Sequence, residues 1–350
     1  MKAKKITIFD VAERAGVSKG TVDRFLHNRG EVSQKSEAKV RKAIAELQYE
    51  PNLYASLLAT RKNRLIACLL PEAMEGEYWE KVRDGFIQGA KEAESLNLVG
   101  KVFSYDQYDL DSFEKACNEL LEASPEGVVL APLFKNRTEK LIADLKSRKI
   151  AYVFVDTKID KSSYLAYYGM PMYESGYLCA ALLTERLEKE EVKSIVTVRL
   201  IRGKSGQVDP TENRRKGFTD YIEEHFPECI IKTLFINPAD SNCASALEGK
   251  VSDEDKLLVT FNSRIHLIND FLATHPCKGR RVIGFDNLDR NIEALKEGNV
   301  TLLITHHTEK QAQSAVSALA NQIIVGKKPE KRDNHAHMDI LTRLNLENYI

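Results

Sequence analysis

Two hydrophobic rhythms run along this 350-residue chain, and they change near residue 64. Before that point, apolar positions recur at helical spacing within short segments. "FDVAERA" is preceded by Thr7 and holds Asp10 at capping distance, with Phe9, Val11 and Ala12 as the expected inner residues. Gly16 in "AGVS" supplies a tight turn where a β-carbon is unwelcome. Ser18 caps a second helix that runs to about His27. "VSQKSEAKVRKAIAELQYEP" predicts a third, with Val40, Ile44 and Leu47 in one stripe and Pro51 as its stop. Helix, glycine turn, helix and packing helix is the helix-turn-helix plan.

From Arg64 onward, apolar runs alternate with amphipathic helices. "RLIACLLP", "LVGKVFSYD", "GVVLAPL", "AYVFVDT", "KSIVTVRLI", "CIIKTLFI", "KLLVTF", "RVIGFD" and "VTLLITH" read as strands. Between them lie helical patterns such as "YWEKVRDGFIQGAKEAESLN", "NRRKGFTDYIEEHF" and "EKQAQSAVSALANQIIVGK". That alternation predicts parallel sheets covered on both faces. The strands are too many for one comfortable sheet, so two similar α/β lobes are expected, with a ligand crevice beyond the carboxyl ends of their strands. "PNLYASLLATRKNR", residues 51 to 64, can form two helical turns at most, which is marginal in water. By itself it reads as a linker, or as a segment that becomes helical only when docked.

Charge changes this picture. The formal net charge is zero, yet residues 1–64 carry +7 and the remainder −7. A basic head on an acidic body is the asymmetry of a nucleic-acid-binding module joined to something else. No run approaches a membrane span, and the N-terminus lacks the apolar region and cleavage site of a secretory signal. Six scattered cysteines with no CxxC pair point to reduced thiols in a cytoplasmic protein. No motif calls for a metal or a cofactor.

The run "ITIFDVAERAGVSKGTVDRFLHNRGEVSQKSEAKVRKAIAELQYEPN", continuing into "LYASLLATRKNRLIACLLP", resembles the lactose-repressor (LacI/GalR) family. "ENRRKGF", "VTFNSR", "VIGFD" and "LLITHH" extend the likeness through the body in the family's order. The resemblance implies an all-α helix-turn-helix head at 1–50, a hinge helix at 51–63 and an α/β core at 64–350. The core would be two Rossmann-like lobes of the type I periplasmic binding protein kind. Lobe one would span about 64–168 and 308–335, lobe two about 169–307 and 336–350. It further implies a homodimeric regulator of carbohydrate utilisation genes, in the repressor mould. Such a protein grips near-palindromic double-stranded operator DNA under control of a small sugar effector. The chain ends at Ile350 without a leucine-heptad tail, which favours a dimer over a tail-built tetramer.

By that resemblance, Lys19, Gly20 and Arg24 face base edges while Ser18, Thr21 and Asn28 lie near phosphates. Lys19 and Arg24 can each donate to guanine O6 and N7. Gly20 costs roughly 1 kcal/mol of helix propensity against alanine, and leaves room for close approach to a base edge. Asp23 departs from the family's serine. It can accept from a cytosine amino group, pair with Arg14 or sit in solvent, the last two being the simpler readings. In the hinge, Asn52 would cap, Ala55 would let two hinge helices touch, and Leu58 would wedge into the minor groove, with Leu57 as the rival wedge.

In the body, Asp156 ends "AYVFVD" and Asp286 ends "VIGFD", two acids at carboxyl ends of strands. The resemblance adds Arg214 as a fork onto ligand hydroxyls or carboxylates, Asn262 as a cleft amide, and Tyr78 with Trp79 as stacking aromatics. Trp79 reads equally well as a core aromatic. His306 stands where relatives carry glutamine. Its imidazole can bond a hydroxyl, or be a solvated loop histidine beside His307.

Three rival readings compete with this one. An enzyme is one, but "IRGKSG" lacks the earlier glycine of a phosphate loop, where Val198 stands, and no HExxH, GxSxG or GxGxxG occurs in a fitting setting. A sugar-acting enzyme using Asp156 and Asp286 would need a fixed carboxyl separation. A transport component leaves the basic head unexplained. The third keeps the regulator and makes its ligand a purine-like corepressor.

Overall fold

The computed structural model describes residues 6–27, 32–47, 49, 63–201, 209–238, 240 and 242–349, and divides into the units Met1–Lys62 and Asn63–Ile350. In the first unit, α1 (Ile8–Ala15), α2 (Lys19–His27) and α3 (Gln34–Leu47) enclose a small apolar centre. The predicted capping box forms: the Thr7 N–H donates to Asp10 Oδ2 at 2.7 Å, and the Asp10 N–H to Thr7 Oγ1 at 3.5 Å. Gly16 closes α1 at φ 61°, in the left-handed region that a side chain resists. Val11, Ala12, Ala15, Val22, Val40 and Ala43 are buried. Phe9 corrects the sequence reading, being 62% exposed with the Lys19 ammonium 4.5 Å above its ring. Helical phase is the reason. At 3.6 residues per turn Phe9 points about 200° away from Val11, and Val11, Ala12 and Ala15 define the inner arc. For the same reason Ala43 shares the inner face of α3 with Val40, leaving Ile44 and Leu47 partly buried at its edge.

The second unit holds two sheets of six strands each among the described residues. The first runs β11 (Asp333–His335), β5 (Ala166–Gly169), β4 (Ala151–Val155), β3 (Gly127–Leu130), β1 (Arg64–Pro71), β2 (Leu98–Tyr105). The second runs β12 (Asp339–Leu341), β10 (Leu302–Thr305), β9 (Arg281–Phe285), β8 (Leu257–Thr260), β6 (Ser194–Leu200), β7 (Ile230–Ile236). Central strands such as "GVVL", "LLVT" and "LLIT" are buried at every position, as expected where helices cover both faces. The helices α4 (Tyr78–Glu92), α5 (Leu110–Glu122), α6 (Lys135–Ser147) and α11 (Thr308–Val325) belong to the first lobe. The second carries α7 (Met172–Leu183), α8 (Glu212–His225), α9 (Asn269–Thr274) and α10 (Asp289–Glu297). The chain passes between the sheets three times, after Gly169, after Thr305 and after His335.

Three strands escape the hydrophobic pattern. β5 is four residues long, β11 reads Asp-Asn-His with no apolar position, and β12 is three residues long. β12 also departs from the all-parallel expectation, pairing antiparallel with β10. No helix among the described residues is long and apolar enough to cross a membrane.

Two glycines set the distance between α7 and α8. A β-carbon on Gly176 would fall on the Arg214 carbonyl, and one on Gly217 would fall on the Tyr173 carbonyl. The helix backbones therefore touch, which brings Arg214 against Ser175. Gly176→Ala is expected to lower stability by about 1–3 kcal/mol through overpacking. Thermal unfolding of the full chain checks this, and an unchanged Tm would mean that the two helices have slack.

Candidate functional site

In the head, Ser18 begins α2 and its hydroxyl lies 2.9 Å from that of Thr21 while accepting the Thr21 N–H at 3.2 Å. Ser18, Lys19, Gly20 and Arg24 are exposed and Thr21 is half-buried, so the start of α2 offers one polar surface. Arg24 rests its Nε on the Gly20 carbonyl at 3.2 Å. A β-carbon on Gly20 would meet Ser18 Oγ at an ordinary 3.8 Å. Packing within the head therefore does not require glycine there. Arg14 pairs with Glu46 through Nε at 2.7 Å. Asn28, Asn52, Ala55, Leu58 and its rival Leu57 lie outside the described residues.

In the body, Tyr78, Trp79, Asp156, Arg214, Asn262, Asp286 and His306 all line one cleft enclosing about 770 Å³, part of it open to solvent. Asp156 directly follows β4 and Asp286 directly follows β9, with φ of 64° and 67°. Each N–H bonds to a neighbouring strand, Asp156 to the Tyr168 carbonyl at 3.1 Å and Asp286 to the Ile304 carbonyl at 2.9 Å. Both side chains thus turn out of the sheet on left-handed residues, a conformation that costs about 1–2 kcal/mol and that aspartate tolerates better than most. Strain of this kind concentrates at functional sites.

Arg214, in the first turn of α8, is 4% exposed. Its Nε donates to Ser175 Oγ at 3.0 Å, Nη1 donates to the Phe261 carbonyl, and the guanidinium lies 3.8 Å from the centre of the Phe285 ring. Burial pulls its pKa down, while Asp286 and Asp156 hold it up. Tyr78 donates to Asp156 Oδ1 at 2.8 Å, and burial followed by the charge of Asp156 raises the phenol well above its ordinary value. Trp79 is 9% exposed, packs in the first-lobe core and meets Tyr78 edge-on at 5.1 Å, so it is a core aromatic whose edge borders the cleft.

His306 is buried at 3% exposure, whereas His307 beside it is the solvated one. Burial first, then the charge of Arg214, pushes His306 down to about 3 and keeps it neutral. Burial also pushes Asp286 up to about 6, with Asp156 adding to the rise and Arg214 and Lys81 opposing it. His306 Nδ1 and Asp286 Oδ1 face each other at 3.5 Å, and neither makes a hydrogen bond among the described residues. A hydroxyl that both donates and accepts suits such a pair.

Sequence reasoning missed the groups that join the lobes across this cleft. Arg264 Nε donates to Glu77 Oε2 at 2.7 Å, and Lys81 Nζ reaches the Asn287 carbonyl at 3.1 Å and its Oδ1 at 3.2 Å. Each is a neighbour in sequence of a residue that had been singled out, but a single charged residue on a loop carries no signal of its partner.

Family models match the chain in two places, the lacI family of bacterial regulatory proteins over residues 7–52 and a periplasmic binding protein domain over 66–328. The chain is 32% identical over 307 residues to the HTH-type transcriptional regulator DegA of Bacillus subtilis (strain 168), covering 81% of this chain and 82% of that one. It is also 32% identical over 158 residues to a ribose operon repressor of Lactococcus lactis, an alignment spanning 45% of each chain. A crystal structure from Bacteroides fragilis, described as a LacI transcriptional regulator, superposes with a TM-score of 0.76 at 30% identity, over 83% of this chain and all of that one. The chain therefore belongs to the lacI family of bacterial regulatory proteins, DNA-binding transcriptional regulators rather than enzymes, with a ligand-binding core of the periplasmic type.

Proposed function

We propose that the chain is a cytoplasmic, homodimeric repressor of carbohydrate utilisation genes, released from or locked onto its operator by a small neutral sugar. The observation that carries the ligand class is the convergence of Asp156, Asp286, Arg214 and neutral His306 in one buried crevice. Carboxylates accept from hydroxyls, a guanidinium donates to them, and an imidazole does either. The name of the Lactococcus relative, a ribose operon repressor, points the same way.

The start of α2 enters the major groove, with Lys19 and Arg24 reading guanines beside Gly20, and Ser18, Thr21 and Asn28 on phosphates. Residues 51–63 fold on DNA, with Leu58 as minor-groove wedge, Ala55 at the contact between hinges and Asn52 as cap. Lobe one is about residues 64–169 with 308–335 and lobe two about 170–307 with 336–350, one residue later than the sequence reading because Gly169 still pairs within the first sheet. The ligand acts by its differential affinity for two arrangements of the lobes. Asn262 and the edge of Trp79 complete its surroundings, with Tyr78 holding Asp156.

Titration of the full chain with D-ribose, D-glucose, D-galactose and hypoxanthine, followed by Trp79 fluorescence, tests the ligand class. Saturation by a sugar supports the reading, and saturation by hypoxanthine alone replaces it with a purine corepressor. Asp286→Asn is expected to weaken sugar binding at least tenfold and leave unliganded DNA affinity unchanged.

The Asp286 pKa also predicts a pH profile. Sugar affinity should fall as pH drops through about 6, where the carboxylate that accepts hydroxyls becomes an acid. Because the folded value is raised, the fold itself loses Asp286-linked stability as pH rises from about 4 through 6. The stability gained by Asp286→Asn should therefore be larger at pH 7 than at pH 4, which denaturant titrations would read. His306 acts oppositely: its folded value is depressed, so its contribution holds above pH 6.5 and is lost toward pH 3.

In the head, Gly20→Ala should stabilise the fold by up to about 1 kcal/mol while weakening operator binding, since the added methyl has room in the protein and would meet DNA. Arg24→Ala should remove operator preference without changing sugar affinity. Filter-binding against operator and random duplexes at fixed salt separates these effects, and a Gly20→Ala chain with full operator affinity would take position 20 out of the interface.

A further inference from the structure

Asn291 lies wholly inside lobe two, in the first turn of α10, with no exposed surface. Its Nδ2 stands 2.7 Å from the Ser263 carbonyl, 3.1 Å from that of Phe285 and 3.0 Å from that of Asp286. Its Oδ1 accepts the His266 N–H at 3.2 Å and faces His266 Nδ1 at 2.8 Å. Three carbonyls around one end of the amide fix which atom is nitrogen. The oxygen then faces the ring, so His266 carries its proton on Nδ1. Burial lowers the His266 pKa and keeps the ring neutral, and its Nε2 has no partner among the described residues.

The three carbonyls belong to the two segments that carry the lobe-two side of the cleft. Ser263 sits between Asn262 and Arg264, whose N–H donates to Asn262 Oδ1 at 2.8 Å. Phe285 ends β9 and Asp286 follows it, where the backbone turns left-handed. β8 and β9 are hydrogen-bonded neighbours, but their ladder ends before these residues, at Val259 with Ile283. Beyond that ladder, the Asn291 side chain hydrogen-bonds to both backbones. An amide that capped α10 would accept helix N–H groups, and this one donates to carbonyls instead.

We propose that Asn291, oriented by His266, is a positioning residue of the ligand cleft that sets the spacing between the Asn262–Arg264 rim and the Asp286 carboxylate. The proposal rests on the reading of this cleft as the effector site. Neither residue touches the ligand space; both act through the backbones that do.

The test compares the full chain with Asn291→Leu, which keeps the volume, and Asn291→Asp, which keeps the acceptor and removes the donors. Amide hydrogen exchange is expected to accelerate at least tenfold in residues 261–267 and 284–289 of both variants, with wild-type protection in the first-lobe sheet. In parallel, D-ribose, D-glucose and D-galactose affinities read by Trp79 fluorescence should weaken at least tenfold for whichever sugar the wild type binds.

Wild-type protection of either segment in both variants overturns the proposal, whatever the sugars do. Loosened segments with unchanged sugar affinity also overturn it, leaving Asn291 a structural residue. If no sugar binds the wild type, the sugar reading fails by itself, and the exchange measurement still decides whether Asn291 couples the rims. Should neither variant fold, His266→Gln removes the ring that orients the amide and is expected to loosen residues 261–267 alone, and full protection there would overturn the proposal.

Discussion

Burying the Arg214 guanidinium takes a full charge out of water, at a cost of several kcal/mol unless the fold replaces its hydration. The Ser175 hydroxyl, the Phe261 carbonyl and the face of Phe285 replace part of it, and the carboxylates of Asp156 and Asp286 supply opposite charge from the two lobes. Much of the body follows from that one placement. Arg214 reaches Ser175 because Gly176 and Gly217 let α7 and α8 touch. The carboxylates reach its neighbourhood because both strands end on left-handed aspartates. Buried polar groups are normally satisfied within the protein. Here Asp286 Oδ1 and His306 Nδ1 remain without hydrogen bonds among the described residues, so the crevice has more polar capacity than the chain itself uses.

The links between the lobes are weak, and their positions matter more than their strength. Glu77–Arg264 is about one-fifth exposed on each side, a setting in which an ion pair contributes up to about 1 kcal/mol. Glu77 precedes Tyr78, Arg264 follows Asn262 by two residues, and Asn287 follows Asp286. A molecule that moves the ligand-facing side chains therefore acts on the same short backbones that hold the lobes together. A contact of this size can be strengthened or overridden by a ligand of ordinary affinity, which a strong latch would not permit.

The sequence was most legible where one periodicity runs unopposed. Long apolar strands and capped helices of the body were readable because each buries a continuous face, and the head because Thr7, Gly16 and Ser18 carry local capping chemistry. Phe9 was misplaced because an apolar residue two positions from Val11 looks internal in a short window, although helical phase turns it out to Lys19. β11 was invisible because its strand character comes wholly from pairing with β5 and owes nothing to its own side chains. Asp156 and Asp286 stood out as acids closing apolar runs. Asn291, His266 and Glu77 did not, since their importance lies in partners 5 to 187 residues away along the chain.

His306 adds a neutral donor and acceptor to the crevice. An imidazole has both only while it stays neutral, and burial beside Arg214 keeps it so. A charged imidazole would have added a second cation to Arg214 and favoured an anionic ligand. As built, the crevice sets the Arg214 guanidinium against the carboxyl groups of Asp156 and Asp286, while Arg264 is paired with Glu77 and Lys81 is engaged by Asn287. A phosphate or carboxylate entering there would face Asp156 and Asp286 with no spare positive charge, whereas hydroxyls meet acceptors and donors in turn. The same low dielectric that holds His306 neutral disfavours charge in a ligand, which supports the proposed neutral sugar over its phosphate.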